Sequence, residues 1–226
     1  MACLGFLVVA TNKYIKFVGP LVESMYEHLD AGFQLRIFVF TDSKTVPDGT
    51  IRIEQEHRPW PLPTLLRYRM FTQHQHVFSG CDYLHYCDAD MRFVGPVDDI
   101  ILGERVAVLH PGYYNKPRTA FTYENRTKSR AYVRPDEGDH YYCGGFQGGE
   151  TEEYLKMAST ISQWVDEDFN NDIVAVWHDE SHYNRYLIDH QPTHILSPSY
   201  CYPESWVLPF EKKLLALDKN HNEIRG

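Results

Sequence analysis

Tyr83-Leu84-His85-Tyr86-Cys87-Asp88-Ala89-Asp90 runs apolar and aromatic, as a buried strand would, and then ends on two carboxylates one residue apart. A strand that stops on Asp-x-Asp places hard oxygen donors where a sheet opens to a cleft. Such donors suit Mg²⁺ or Mn²⁺ and, through the metal, a diphosphate. Ligands of open α/β sheets bind outside the carboxyl ends of the strands. The chemistry this suggests is metal-assisted use of a nucleotide or nucleotide-sugar. The same three residues also make an ordinary polar strand end, so the rest of the chain has to decide between the two.

Working outward, Leu4 to Ala10 is a continuous apolar run, the pattern of a parallel strand buried on both faces. A polar turn, Thr11-Asn12-Lys13-Tyr14, leads into a helical pattern through Leu29, which Pro20 should kink or shift. Leu35 to Thr41 and the shorter Ile51 to Glu54 read as strands, and Leu65 to Phe78 as a helix. The first 90 residues therefore alternate β, α, β, β, α, β, which favours a mainly parallel α/β nucleotide-binding half. Further on, Val106 to Leu109 reads as a strand. Residues 112–149 read as loops with short strands. Thr151 to Phe169 and His182 to His190 read as helices.

Composition narrows the function. The 226 residues carry 22 Lys+Arg against 31 Asp+Glu, a net charge of −9, so a face that neutralises many phosphates is not expected and nucleic acid is a poor partner. There is no apolar run of 18 residues and no basic start with a cleavage site, so neither membrane insertion nor a signal peptide is expected. The cysteines, Cys3, Cys81, Cys87, Cys143 and Cys201, are odd in number and lack C-x-x-C spacing, which predicts free thiols in a reducing, cytoplasmic setting. The 16 Tyr and 4 Trp offer flat faces with polar handles, suited to sugars and bases, although an aromatic core accounts for most of them.

Two further clusters carry chemistry. In Ala175-Val176-Trp177-His178-Asp179-Glu180-Ser181-His182 the two imidazoles stand four apart, but Asp179 follows the first where a zinc protease needs Glu. The bland alternative is a helix start capped by Asp179 or Ser181, which would still present Glu180 to a cleft. In Asp136 to Gly149 the paired glycines permit close backbone approach to a ligand, yet fit neither G-x-G-x-x-G nor the P-loop.

On these stretches the chain resembles the family 6 glycosyltransferases, the group that contains the blood-group A and B transferases and α-1,3-galactosyltransferase. The words that carry the resemblance are His110-Pro-Gly-Tyr-Tyr114, Ala120-Phe-Thr-Tyr-Glu124, Asp136-Glu-Gly-Asp139 with Tyr141-Tyr142, Gly148-Gly149, Ala175 to His182, Leu196-Ser-Pro198 and Lys219-Asn-His221. They keep the family's order from about Leu4 to Arg225. The resemblance implies one GT-A domain over residues 1–226. A nucleotide-binding half would reach to about 95, and an acceptor-binding half with a C-terminal lid would follow.

It also implies retaining transfer of N-acetylgalactosamine, or galactose, from the UDP-sugar to the 3-OH of a galactoside, plain or fucosylated, in α-1,3 linkage. A strict UDP-galactose enzyme is the alternative. By position, Asp88 and Asp90 would hold Mn²⁺ or Mg²⁺, with Ala89 between them at the donor. Val9, Ala10, Thr11 and Tyr14 match the uracil and ribose site, and Arg67 a donor-side arginine. Gly144 and Gly145 match the segment that separates donors, where glycine goes with the N-acetylated sugar. His178 and Asp179 match donor-sugar contacts, and Lys219 and Arg225 a tail that closes over the pyrophosphate. His110, Thr122 and Trp177 match acceptor contacts, and Glu180 the essential carboxylate, which also borders the acceptor.

Two departures stand out. The sequence carries no anchor or stem like the animal members', so either the chain was trimmed or it is a microbial or viral member without membrane insertion, the reading that Met1 favours. Tyr202-Pro203-Glu204 stands where the animal members have Trp-Asp beside the acceptor. Two rivals fit less well. A haloacid dehalogenase-like phosphatase needs Thr or Val two residues past the second Asp, where this chain has Arg92. A non-catalytic sugar-binding module would not explain why the carboxylates, the Trp-His-Asp-Glu stretch and a basic tail coexist.

Overall fold

The structure, a computed structural model, describes residues 1–220 and 223–224. In chain order β1 (Cys3–Val9) leads into α1 (Ile15–His28), followed by β2 (Gln34–Thr41), β3 (Thr50–Glu54), the short α2 (Leu62–Leu65), α3 (Arg67–Gln73) and β4 (Tyr83–Cys87). Then come β5 (Met91–Phe93), β6 (Arg105–Leu109), β7 (Tyr142–Glu150), α4 (Thr151–Asn170), α5 (His178–Asp189), β8 (His194–Leu196), β9 (Tyr202–Pro203) and β10 (Leu214–Ala216).

Seven strands form the central sheet in the order β3-β2-β1-β4-β7-β6-β8, and β5, β10 and β9 form a small second sheet. The first four strands run parallel, β7 is antiparallel to both its neighbours, and β8 is parallel to β6. This is the mainly parallel, helix-flanked α/β architecture of a GT-A-like fold. The chain steps from β1 outward through β2 to β3, and then returns to place β4 on the other side of β1. The crevice between the carboxyl ends of β1 and β4 is thus a topological switch point, where such sheets bind ligands.

The period of two explains why β1 is apolar throughout. Leu4, Phe6 and Val8 pack on one face with Val18, Leu21 and Met25 of α1, while Cys3 and Leu7 join Phe38, Phe71 and Ile161 on the other. A strand covered on both faces has no position for a polar residue. Pro20 does not break α1, which runs from Ile15 to His28. It lies on the exposed side, where water can satisfy the carbonyl it frees, and the buried face of α1 holds the helix together.

Three local expectations change. The helix predicted over Leu65 to Phe78 is divided into α2, α3 and a 3-10 turn, Gln75–Phe78. The segment predicted as loops with short strands contains β7, a nine-residue strand buried up to its last residue, which runs one residue past that segment. The last predicted helix, α5, begins at His178 rather than His182. Instead of five free thiols, Cys143 of β7 and Cys201 are paired as a disulfide, and Cys3, Cys81 and Cys87 are free and buried. Their separation of 58 residues leaves no local spacing signal. Among the described residues no helix is long and apolar enough to cross a membrane.

β7 is glycine-rich because its neighbours need the space. Gly148 lies opposite His85 of β4, and the fully buried His85 ring occupies the place a Cβ would take. That ring stacks between Phe6 and Phe146 at 5.6 and 5.7 Å and bonds through Nε2 to the Ile101 carbonyl at 2.9 Å. Burial pushes His85 down to about 4, so it stays neutral at ordinary pH. Gly148→Ala should therefore overpack the sheet and lower stability by about 1–3 kcal/mol in urea unfolding. An unchanged midpoint would show that the ring can move aside.

Candidate active site

A cleft of about 630 Å³ opens at the switch point. Val9, Thr11 and Tyr14 reach it from the end of β1, and Asp88, Ala89 and Asp90 from the end of β4. β7 enters from the opposite direction, so its first residues meet the last of β4, and the Asp88 N–H donates to the Gly145 carbonyl at 2.9 Å. Gly144 and Gly145 form the floor there. Arg67 of α3, the Trp177–Glu180 turn into α5, and Lys219 also line it.

Ala10 lies behind the wall with its methyl in the core. Thr122 lines a second cavity of about 650 Å³, which shares Val176, Trp177 and His178 with the first. His110 lines neither of these cavities but joins them indirectly. Its ring meets that of Tyr141 at 5.7 Å, and Tyr141 donates to Glu180 at 3.1 Å. Burial pushes His110 down to about 4, and its Nδ1 accepts from the Gly112 N–H at 3.0 Å, so the neutral ring carries its proton on Nε2. Arg225 lies outside the described residues.

Arg67 organises the floor. Its buried guanidinium pairs with Asp179, reaches Asp88 at 3.5 Å and donates to the Gly144 carbonyl at 3.0 Å, with the Tyr86 ring 4.0 Å from its centre. Burial lowers its basicity, yet Asp179, Tyr86 and Asp88 together hold it fully charged. Gly144 permits this approach. A Cβ there would stand 2.9 Å from Arg67 Nη2 and 3.3 Å from Glu180 Oε2. The predicted caps of α5 are not used as such. Asp179 turns to Arg67, and Ser181 accepts from the Trp177 N–H at 2.9 Å.

Glu180 accepts from the Gly144 N–H at 2.8 Å and from Tyr141. Burial pushes it up to about 7, while these two hydrogen bonds and Arg67 favour its charged form. Asp179 is likewise pushed up to about 7 by burial, against the pull of Arg67. The exposed Trp177 is held in place from behind. Glu124 binds Arg126 through two side-chain bonds of 2.8 and 2.6 Å and accepts from the Val176 N–H at 2.9 Å. Burial alone would raise Glu124, but the Arg126 bonds bring it down to about 2.

The two imidazoles that stand four apart do not converge on a metal. His182 is fully buried, bonded to the His178 carbonyl at 3.0 Å and to Asp168 at 3.1 Å, while the His178 ring meets Trp60 at 4.8 Å. Among the described residues no group of three or more His, Cys, Asp or Glu could hold an ion. The Asp88 and Asp90 carboxylates nevertheless suit Mg²⁺ or Mn²⁺, which commonly rest on one or two carboxylates and complete their shell with water and phosphate oxygens. The site already draws a cation, since the Lys219 ammonium pairs with Asp90.

Sequence reasoning missed His57, Trp60, Pro63, Thr64, Tyr86 and Val176, all on the cleft wall. His57 bonds Thr11 through Nδ1 at 3.1 Å. The stretch from Pro59 to Thr64, with three prolines around Trp60, was the available signal for a loop over a site.

The family model described as Glycosyltransferase family 6 matches residues 1–226. Histo-blood group ABO system transferase 1 of Rattus norvegicus is 38% identical over 99% of this chain and 68% of its own length. Globoside alpha-1,3-N-acetylgalactosaminyltransferase 1 of Homo sapiens is 34% identical over 99% and 68%. The O-antigen biosynthesis glycosyltransferase WbnI of Escherichia coli is 25% identical over 99% and 97%.

The raised pKa of Glu180 gives a stability signature. The folded state holds that proton up to about pH 7, whereas an unfolded glutamate releases it near 4.5. Its contribution is therefore fully present below 4.5 and lost as pH rises through 7. In urea unfolding, Glu180→Gln should gain on the wild type between pH 5 and pH 8. A constant difference would mean that Glu180 ionises at its ordinary pH.

Proposed function

The chain belongs to glycosyltransferase family 6 and is a hexosyltransferase, and we propose that it transfers N-acetylgalactosamine with retention from UDP-N-acetylgalactosamine to the 3-OH of a galactoside in α-1,3 linkage. UDP-galactose is the alternative donor. The observation that carries this reading is the convergence on one cleft of the Asp88/Asp90 pair, the Arg67–Asp179 pair and the Glu180 carboxylate.

In this reading Val9, Thr11 and Tyr14 hold the nucleoside at the end of β1. Asp88 and Asp90 hold a divalent cation, which when bound supplies positive charge to the UDP leaving group. Lys219, beside Asp90, offers its ammonium to the same phosphates, and Arg225 is assigned with it. Asp179 and His178 orient the donor sugar. Trp177 presents its half-exposed face to the acceptor, with Thr122 in the adjoining cavity and His110 behind Tyr141. Glu180 stands where positive charge develops on the sugar. A carboxylate there serves retention either as a nucleophile or by stabilising the charged sugar on one face. The Gly144 N–H and Tyr141 hydroxyl fix its orientation.

The donor assignment rests on Gly145. The methyl it lacks would stand 2.9 Å from Asp88 Oδ2 and 3.1 Å from Met91 Cε. An alanine would thus act by shifting the Asp88 carboxylate as much as by filling space beside the sugar. One methyl in such a pocket is worth roughly 1–3 kcal/mol, or about 10–200-fold, which sets a preference rather than an absolute choice.

Three measurements test this function. UDP release with a galactoside acceptor should be faster from UDP-N-acetylgalactosamine than from UDP-galactose, and a higher kcat/KM for UDP-galactose would reverse the donor assignment. Asp90→Asn should abolish Mn²⁺-dependent turnover without loss of fold by circular dichroism, whereas full wild-type activity in excess chelator would remove the metal from the scheme. Glu180→Gln should lower kcat by about 100-fold or more; a loss below tenfold would move the essential charge elsewhere.

A further inference from the structure

Tyr86 is the penultimate residue of β4 and is 4% exposed, yet its side chain does more than fill space. Two buried tyrosines lie against the Arg67 guanidinium, and their hydroxyls go to different places. Tyr68 donates to Gln147 at 2.9 Å, whereas Tyr86 donates to Asp88 Oδ1 at 2.5 Å. An ionised carboxylate only accepts, so the proton of that short bond is the tyrosine's. The ring behind the hydroxyl is fixed on two sides. The Arg67 guanidinium carbon lies 4.0 Å from its centroid, and the Phe71 ring 5.8 Å.

Asp88 is thereby held twice. Its N–H donates to the Gly145 carbonyl at 2.9 Å, and its Oδ1 is taken by Tyr86, with Arg67 more distant at 3.5 Å. This leaves Oδ2, which lies over Gly145, to a ligand. Without the hydroxyl, Oδ1 keeps one charged neighbour, the buried guanidinium. A close charge-assisted bond between the two would turn the carboxylate toward Arg67 and away from a cation in the cleft.

We infer that Tyr86 is a positioning residue: its hydroxyl fixes the Asp88 carboxylate for divalent-cation binding and keeps Arg67 from capturing it. The inference rests on the reading that Asp88 and Asp90 hold a divalent cation, and adds a residue outside that pair which sets how tightly they do so. Hydrogen-bond partners of metal ligands commonly contribute about 10–100-fold to affinity.

The test is Tyr86→Phe, which keeps the ring against Arg67 and Phe71 and removes one oxygen. The Asp88 side chain is 41% exposed, so water can replace the lost donor and the fold should survive. Near-ultraviolet circular dichroism without metal should match that of the wild type, and a changed spectrum would make the role structural and overturn the inference. Mn²⁺ is titrated into each protein in the presence of UDP. Binding is read from the loss of the free-ion electron paramagnetic resonance signal beyond that caused by UDP alone. Tyr86→Phe should bind Mn²⁺ about tenfold more weakly, or worse. Tyr68→Phe, which removes a buried hydroxyl bonded to Gln147 instead, should bind as the wild type does. Equal losses in the two variants would overturn the inference, as would a Tyr86→Phe affinity equal to that of the wild type. A wild type that takes up no Mn²⁺ beyond UDP alone overturns the metal reading itself, and the inference with it.

Discussion

The site depends on one buried cation. Arg67 brings its guanidinium to a place where it touches Asp179, Asp88 and the Gly144 carbonyl, and so joins α3, α5, β4 and β7 at a single point. A charge removed from water is tolerable only when fully matched. Losing one partner of a buried pair costs about 3–5 kcal/mol, so each of the four elements is held in register by the others. The planar fork makes this possible, because one guanidinium can address two carboxylates and a carbonyl in fixed directions, which a lysine cannot. The glycine at 144 follows from the same constraint, since a side chain there would meet both Arg67 and Glu180.

With Arg67 in place, the carboxylates around it are neither ordinary surface acids nor wholly neutralised. Burial raises Asp179 and Glu180 to about 7, while hydrogen bonds and the guanidinium favour their charged forms. Glu124 is brought to about 2 by Arg126 and braces the turn from which Trp177 projects. The same residue type is thus tuned in opposite directions a short distance apart, according to whether its partners overcome the cost of burial. Such tuning belongs to a working cleft more often than to a structural core.

Much of the scaffold was legible in the sequence. The apolar runs of β1, β2 and β4 name buried parallel strands because both faces are covered, and Asp88 and Asp90 follow directly from where β4 stops. β7 was not legible. Its glycines make room for His85, Arg67 and Glu180, so the hydrophobic period that marks a strand is absent from it. The start of α5 was missed because its first turn spends its polar side chains on Arg67 and the cleft rather than on its own cap. Pro20 does not shift the start of α1, since it stands on an exposed helix face where water can satisfy the carbonyl it frees. The pairing of Cys143 with Cys201 has no local pattern at all.

By itself, then, the sequence determined the family, the order of the α/β elements and the residue types that meet at the strand ends, because these depend on local apolar period and on words of a few residues. Only the tertiary structure decided which of those residues share a cleft. It placed Ala10 behind the wall, set Thr122 in a second cavity, aimed His182 into the core and brought His57 and Trp60 to the rim. Those outcomes depend on contacts between segments far apart in the chain, where the direction of each side chain is fixed by what already fills the space beside it.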